Sequence, residues 1–398
     1  MKKTAYIVFL TLTLFALAGL SACRKQEADE GLVPIRFTCP PLVEVTTKAN
    51  NSFVSGSGPL NSGQSFGVYA WNTGGSYLSA NPGSPNFIST AWDVTFLDND
   101  DKGANNTYSP GAVDNFWPRT SGYDYSFAAY YPYGGAGISG PTWTSGTVGV
   151  YNFTAQSTAA NMIDFCVSDI ANDMTYSTTN SGYDGTVEMN FHHTLCRVQF
   201  RFVKAQDVEE DLHIKILDAK LKNVFTKGTL TATYAQHSPS PGHGLPGTTT
   251  LGWSGQNTQA DYEITLNGED PDPEALDEHG DPAPVEVELG YTQTVAASDV
   301  FLMVPDDIRE SSDPVAAQQL WFQWNVDDGE PTTTALWLCD CVRAIGNPTP
   351  ANIHWEANSF VTYTIVIRAK PIEFSDAAVT ITSWDAEPEI NGYYPIIL

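Results

Sequence analysis

The stretch VEMNFHHTLCRVQFRF (187–202) alternates apolar and polar side chains, but the alternation changes phase near its middle. The apolar residues are odd-numbered before the change and even-numbered after it: Val187, Met189, Phe191 and Leu195, then Val198, Phe200 and Phe202. Successive side chains of a strand point to opposite faces, so a one-residue change of phase moves the apolar set to the other face. The stretch therefore predicts strand structure interrupted by a bulge or by a crossing between two sheets.

Period-two alternation also governs the rest of the chain, and helical periodicity is almost absent. Clear examples are VPIRFTC (33–39), SFGVYAW (65–71), YDYSFAAYYP (123–132) and NSFVTYTIVIRAK (358–370). Turn-forming clusters such as NTGGS (72–76) and SPSPGHG (238–244) separate the alternating segments. Short strands with frequent turns predict an all-β protein built of sandwiches or barrels.

The length of the chain and one linker candidate predict two domains. A chain of 398 residues suits two domains of ordinary size once a leader is removed. The segment TTNSGYDGT (178–186) is rich in turn-forming residues and directly precedes the phase change. We therefore predict one domain over residues 32–185 and a second over residues 186–398.

The amino terminus has the pattern of an exported lipoprotein, MKKTAYIVFLTLTLFALAGLSAC (1–23). Two lysines precede an apolar run that is too short to span a membrane and that ends in small residues. Ser21 and Ala22 precede Cys23 as in a lipobox. We predict a lipoprotein signal peptide over residues 1–22, lipid attachment at Cys23 and a tether over residues 23–31. The alternatives are an ordinary cleaved signal peptide with an incidental cysteine and an uncleaved anchor.

Charge and motifs exclude several classes of function. The chain carries 19 Lys and Arg against 46 Asp and Glu, a net charge of −27. Such a surface repels phosphate backbones, which argues against nucleic-acid binding. The sequence has no nucleophile elbow, P-loop, dinucleotide-binding glycine pattern or H-E-x-x-H motif. We therefore predict a protein that is not an enzyme and that needs no cofactor.

The histidines and cysteines give no metal pattern. His192 and His193 are adjacent, so on a strand they point to opposite faces and cannot form one metal pair. His193 falls on the apolar face, which favours a hydrogen-bonded core histidine over a metal ligand. Cys339 and Cys341 would share one face of a strand, and we interpret them as buried thiols rather than as partners of other cysteines.

Two acidic segments could collect calcium but fit no complete calcium loop. LDNDDKG (97–103) has a lysine where the loop needs an oxygen ligand. GEDPDPEALDEHGDPAP (268–284) is acidic and proline-rich, which is typical of an exposed loop. We predict no metal site, and whether calcium binds in either segment stays open.

Several segments together resemble the fimbrillins, the lipoprotein pilins of Gram-negative anaerobes that build protease-assembled (type V) pili. The resemblance covers nearly the whole mature chain. It is carried by the lipobox and by VPIRFTC (33–39), TTKANNSFVSGSGPLNSGQSFGVYAW (46–71), NFWPRTSGYDYSFAAYYP (115–132), NFHHTLCRVQFRF (190–202), NSFVTYTIVIRAK (358–370) and VTITSWDAEPEI (379–390). LHIKILDAKLKNVFTKGTL (212–230) resembles the strand pair that follows in the family. The resemblance implies two transthyretin-like β-sandwich domains in tandem.

The resemblance also implies assembly by strand exchange. A trypsin-like outer-membrane protease would remove the lipidated segment with the first strand, and a strand from another pilin subunit would fill the groove. The apolar face that would leave comprises Val33, Ile35, Phe37 and Cys39. Lys48 would release this strand whole and Arg36 would cut within it, so we favour Lys48 as the processing site. Family members often carry arginine there, which leaves the matching protease open.

The carboxyl terminus, EINGYYPIIL (389–398), is the candidate donor strand. Its last apolar residues are Tyr393, Tyr394, Ile396, Ile397 and Leu398. Chain ends are usually polar and frayed, so an apolar tail indicates a packing partner. The tail either packs on its own domain or inserts into a neighbouring subunit.

We therefore predict a fimbrial subunit or fimbrillin-like adhesin at the cell surface, delivered to the outer membrane as a lipid-anchored precursor. Its ligand would lie on a host or bacterial surface, and shaft, tip and anchor roles all remain open. The alternative is a surface glycan-binding lipoprotein with exposed aromatic platforms. A hydrolase would need two carboxylates facing each other across a cleft.

Overall fold

A computed structural model describes residues 35–38, 64–72, 84–95, 117, 125–144, 148–174, 186–205, 208, 211–235, 248–267, 287–290, 297–309, 315–343, 354–367 and 377–383. Strands make up most of these residues, which confirms the all-β prediction. Regular helix in this part of the chain consists of α1 (Leu338–Arg343) and one 3-10 turn (Ala159–Asn161). Among the same residues, no helix is long and apolar enough to cross a membrane.

The strands before the phase change are short. They are β1 (Arg36–Thr38), β2 (Ser65–Asn72), β3 (Ile88–Thr95), β4 (Tyr125–Tyr131), β5 (Thr142–Trp143), β6 (Val148–Thr154), β7 (Cys166–Ser168), β8 (Ala171–Met174), β9 (Thr186–Glu188) and β10 (Phe191–His193). The amino-terminal sheet has the order β10-β7-β4-β2-β3, with β8 also paired to β4. β1 and β9 form a separate parallel ribbon.

Both faces of the amino-terminal sheet are buried. On β2, Phe66 and Val68 pack in one apolar cluster with β1. Tyr69 and Trp71, on the opposite face of β2, pack in a second cluster that continues into the rest of the molecule. The sheet is therefore a middle layer, which explains the aromatic and apolar residues at consecutive positions of β2 and β4.

The strands after the phase change form the carboxyl-terminal sheet and, together with β5 and β6, a long sheet. They are β11 (Cys196–Lys204), β12 (Ile214–Ala235), β13 (Thr248–Glu263), β14 (Leu266–Asn267), β15 (Val287–Glu288), β16 (Ala297–Ser298), β17 (Phe301–Met303), β18 (Asp306–Asp307), β19 (Gln319–Val326), β20 (Thr332–Trp337), β21 (His354–Trp355), β22 (Ser359–Ile367) and β23 (Ala377–Ser383). The carboxyl-terminal sheet has the order β14-β16-β11-β22-β23, with β17 on β11. The long sheet has the order β20-β19-β12-β6-β5, with β13 and β15 on β12, and β18 and β21 form a ribbon.

The phase change marks a crossing between sheets. β10 belongs to the amino-terminal sheet, whereas β11 belongs to the carboxyl-terminal sheet. The chain passes from one to the other at Thr194 and Leu195. The indole Nε1 of Trp253 donates a hydrogen bond to the carbonyl oxygen of Thr194 at 2.7 Å and so holds the crossing in place. Of the two possibilities that the sequence predicted, a bulge or a crossing between sheets, the structure shows the crossing.

The segment expected to form a strand pair is instead the single 22-residue strand β12. The register shifts between Leu221 and Val224, and Asn223 has a φ of +62°. Hydrogen bonds from Asn223 to the Asp261 side chain (3.0 Å) and the Ala317 carbonyl (2.9 Å) stabilise this bulge. The chain therefore bends without turning back.

β12 connects regions on both sides of the predicted domain boundary. Its residues 214–222 pair with β19, and its residues 227–233 pair with β6, which precedes residue 185 in the chain. The two regions therefore share one sheet. The division into tandem domains at residue 185 stays a prediction.

The cysteine pair near residue 340 does not lie on a strand. β20 ends at Trp337 and α1 begins at Leu338, with Asp340 in the first helical turn, where a negative charge is favourable. The strand interpretation of Cys339 and Cys341 is therefore wrong. Cys339 is a buried thiol as predicted, like Cys166 and Cys196, and the side chain of Cys341 lies outside the described residues.

Gly67 on β2 is required by the packing of a buried tyrosine. A Cβ atom at this position would lie 2.4 Å from Cε1 of Tyr130, whose ring is 5 % exposed. We expect Gly67→Ala to lower the free energy of unfolding by about 1–3 kcal/mol because the packed ring cannot move away. Gly252→Ala is the matched control, since its Cβ would have 4.0 Å of clearance on another strand. Urea denaturation compares the two, and equal stability of both variants would contradict the expectation.

Candidate strand-exchange groove

The first strand supplies one apolar face to a core. Ile35 directly precedes β1 and is 1 % exposed, and Phe37 within β1 is fully buried. Arg36 lies between them and is exposed. This alternation is the one the sequence predicts for a strand with one buried face.

Phe37 lies at the centre of contacts with the amino-terminal sheet. Its ring makes edge-on contacts with rings from β2, β3 and β4. The partners and centroid distances are Phe66 at 6.0 Å, Trp92 at 5.8 Å and Phe127 at 5.8 Å. Aromatic pairs prefer this edge-to-face arrangement. Phe37 therefore joins the β1–β9 ribbon to three strands of the facing sheet.

Within the described residues, β1 has one neighbour in its sheet. It pairs in parallel with β9, and Phe37 lies opposite Val187, which is fully buried. If β1 were absent, the space between β9 and the amino-terminal sheet would become an open groove. We call this space the β1 groove; its walls are Phe66, Trp92, Phe127 and Val187.

The structure describes only some of the residues predicted for processing and exchange. Ile35, Arg36 and Phe37 lie in or beside β1, as stated above. The others lie outside the described residues: Cys23, Val33, Cys39, Lys48, Tyr393, Tyr394, Ile396, Ile397 and Leu398. Their roles, and that of Arg36, stay predictions.

A buried polar cluster lies beside the crossing between sheets. His193 and Asp164 are 2 % and 0 % exposed, and Nδ1 of His193 lies 2.9 Å from Oδ2 and 3.1 Å from Oδ1 of Asp164. The Cys166 sulfur lies 3.5 Å from the same nitrogen. The interpretation of His193 as a hydrogen-bonded core histidine is confirmed.

Arg197 adds a buried positive charge to this cluster. It is fully buried, and its guanidinium lies 4.4 Å from the centroid of the Phe360 ring. Burial lowers the pKa of Arg197 to about 10, and the negative charge of Asp164 opposes that decrease. Arg197 therefore stays protonated at neutral pH, and the Asp164 carboxylate compensates it.

The chemistry of this cluster favours a structural role over a metal site. Asp164, Cys166 and His193 have potential ligand atoms within 4.8 Å of one another. A metal cation there would face the buried charge of Arg197, which is unfavourable in a region of low dielectric. We interpret the cluster as a polar connection between β10 and β11 across the two sheets.

Comparison with known proteins agrees with the fold and with the resemblance. The model of a fimbrillin-like family matches residues 47–384, which is most of the chain. The fold is all-β, and the chain belongs to the fimbrillin-like family. No protein sequence with a curated description matches it significantly.

One solved structure of a fimbrial protein shares the fold. A fimbrial protein from Bacteroides vulgatus is 16 % identical, with a TM-score of 0.54 over 88 % of this chain and 99 % of that chain. A candidate cell adhesion protein from Bacteroides uniformis is 14 % identical, with a TM-score of 0.46 over 89 % and 98 %. The tip fimbrial protein Mfa3 from Porphyromonas gingivalis is 9 % identical, with a TM-score of 0.33 over 81 % and 95 %. At 16 % identity, the likeness to the Bacteroides vulgatus protein concerns the fold alone.

Proposed function

We propose that this chain is a non-enzymatic fimbrial subunit that assembles at the cell surface by strand exchange. A lipid on Cys23 delivers the precursor to the outer membrane, a protease removes β1, and a strand from a neighbouring subunit occupies the β1 groove. Membership of the fimbrillin-like family supports assembly with other subunits. The observation that carries the proposal is the burial of Phe37 among Phe66, Trp92 and Phe127.

Loss of β1 creates a strong driving force for a replacement strand. The rings that surround Phe37 would become exposed to water, at a cost of about 25 cal/mol for each Å² of apolar surface. The edge of β9 would also lose its hydrogen-bonding partner. A donor strand with apolar residues at alternate positions would restore both interactions.

The carboxyl-terminal tail has the composition that such a donor needs. Tyr394, Ile396 and Leu398 occupy alternate positions, as Val33, Ile35 and Phe37 do in the first strand. Pro395 lacks a backbone N–H, so it suits a strand that pairs on one side only. A tail inserted into another subunit would therefore place three large side chains at the positions that the first strand vacates.

The position of Arg36 favours Lys48 as the processing site. Arg36 pairs with Thr186 and lies between two buried side chains. A protease must bind an extended, accessible segment, and the peptide bond after Arg36 meets that need only if β1 first leaves the sheet. Cleavage after Lys48 removes the whole strand and needs no cut inside the ladder.

Limited trypsin digestion of the mature chain tests this assembly. We expect cleavage after Lys48 to produce SDS-resistant ladders, since each subunit then has an open groove and a donor tail. Lys48→Gln should abolish the ladders, whereas Arg36→Gln should leave them intact. Deletion of residues 393–398 should permit cleavage but prevent ladders. Ladders that persist without the tail, or cleavage at Lys48 without ladders, would refute the proposed exchange.

The glycan-platform alternative lacks the feature that would favour it. It calls for a row of exposed aromatic side chains on one face. Among the described residues, Tyr133 is the single aromatic side chain that is clearly exposed, at 37 %. The burial of Phe37 in the β1 groove is the stronger observation, so we favour the fimbrial function over one defined by a row of aromatic platforms.

A further inference from the structure

A polar cleft of about 620 Å³ lies between the β12–β13 hairpin and the β18–β21 ribbon. Ligand-binding clefts commonly have volumes of about 300–1,000 Å³. The residues of β12 and β13 that line it are Phe225, Leu251, Trp253 and Gln256, and the opposite wall is formed by Pro305, Asp306, Asp307, His354, Trp355, Glu356 and Ala357. β1 and β9 contribute none of the residues that line this cleft.

Trp253 forms a rigid aromatic wall. Its Nε1 is held by the Thr194 carbonyl at 2.7 Å, and its ring makes an edge-on contact with Phe153 at 6.0 Å. A Cβ on Gly228 would lie 2.9 Å from the Trp253 ring, so that glycine lets the ring pack closely on β12. A ring fixed in this way loses little conformational entropy when a ligand stacks on it.

The three carboxylates of the cleft differ in whether other side chains of the protein already bind them. Asp306 accepts hydrogen bonds from Arg309 at 2.5 Å and from Gln318 at 2.8 Å. Asp307 pairs with His354. Glu356 is exposed, and within the described residues no side chain donates a hydrogen bond to its carboxylate. Glu356 is therefore the strongest available acceptor in the cleft.

A second acceptor lies on the hairpin side. The side-chain nitrogen of Gln256 donates to the Pro305 carbonyl at 3.2 Å, which directs this amide along the cleft. Its side-chain oxygen receives no hydrogen bond from the described part of the chain. Acceptors on two walls beside an aromatic face suit a ligand with many hydroxyl donors and an apolar ring face.

We propose that this cleft binds an uncharged saccharide of two or three sugar rings. One sugar face stacks on Trp253, and hydroxyl groups donate to Glu356 and Gln256. Anionic sugars are excluded by the three carboxylates of the cleft and by the net charge of −27. A cationic peptide is less favoured because Asp306 already pairs with the Arg309 guanidinium and Asp307 with the His354 ring.

The experiment titrates the uncut mature chain with maltotriose, cellotriose and chitotriose, with trilysine and trigalacturonate as charged probes. Calorimetry and tryptophan fluorescence detect binding. We expect at least one neutral trisaccharide to bind saturably and to quench or shift tryptophan emission. Glu356→Gln should weaken that binding about tenfold, because a hydrogen bond to a charged group is lost. Glu330→Gln, an exposed carboxylate outside the cleft, is the matched control and should bind as the parent does.

Trp253→Ala should abolish binding, but it also removes packing next to Phe153. Gln256→Ala therefore serves as a second cleft variant that leaves this aromatic contact in place. The proposal is overturned if no neutral trisaccharide binds in the millimolar range, if trilysine binds instead, or if the cleft variants bind like the parent. These measurements use uncut protein, so they do not depend on the outcome of the ladder experiment.

Discussion

Replacing Phe37 with alanine is expected to lower the free energy of unfolding of the uncut chain by about 3–5 kcal/mol. Phe37 is fully buried and its ring contacts rings from three strands, so truncation leaves a cavity that the packed sheet cannot close. Urea denaturation followed by tryptophan fluorescence measures the change. Arg36→Ala is the control on the same strand, and because Arg36 is exposed it should change stability by less than about 0.5 kcal/mol.

Phe37→Ala also tests whether β1 is retained or removed when subunits assemble. In ladders assembled after cleavage at Lys48, Phe37 has left with the released peptide, so Phe37→Ala and the parent should unfold alike. Phe66→Ala should destabilise both forms, because Phe66 belongs to the wall of the β1 groove. A Phe37→Ala effect that persists in the assembled form would show that β1 is retained and would contradict its replacement.

Asp164→Asn is expected to cost about 3–5 kcal/mol, because it leaves the buried guanidinium of Arg197 without a compensating charge. Asp164, His193 and Arg197 are all buried, so water cannot replace the lost interaction. Thermal and urea unfolding measure the loss.

A neighbouring pair provides the control for this prediction. Asp169 lies 2.9 Å from His192, whose side chain is 40 % exposed, next to His193 on β10. Asp169→Asn should cost less than Asp164→Asn, because His192 is partly exposed, whereas both members of the Asp164–His193 pair are buried. Replacement of both Asp164 and Arg197 by leucine should be less harmful than Asp164→Asn alone. If the two Asp→Asn variants were equally stable, the interpretation of the buried cluster as a charge-compensated connection would be wrong.

The general fold could be predicted because it depends on local alternation. The alternation of apolar and polar residues in β1 and β22 identifies strands whatever their neighbours are. The phase change between Leu195 and Val198 likewise has a local meaning, since the same chain must turn its apolar face from one sheet to another. The burial of Ile35 and Phe37 follows from the same rule.

Features that depend on distant partners could not be predicted. The bulge at Asn223 is stabilised by Asp261 and the Ala317 carbonyl, which are distant in the sequence, whereas the family resemblance implied a pair of strands there. The start of α1 at Leu338 similarly contradicts a strand-like alternation of cysteines. In both places, tertiary contacts override the local pattern.

The buried cluster illustrates the same limit at the level of a site. Asp164 and Arg197 are each a charged residue within an apolar run, NMIDFCV (161–167) and LCRVQF (195–200), and this is the signal that could have singled them out. The contact of Asp164 with His193 follows from the pairing of β10 with β7, which the sequence does not specify. His193, in contrast, could be assigned to the core from the sequence alone, because it falls on the apolar face of its strand.

β12 also has a mechanical consequence. Its 22 residues span about 70 Å at 3.3 Å per residue, and one half is bonded to β6 while the other half is bonded to β19. Tension between the two regions would therefore travel along one continuous covalent backbone rather than through a hinge. Force applied along this strand would shear many ladder hydrogen bonds at once instead of opening them one by one. A subunit built in this way can lengthen little under load, which suits a filament exposed to flow.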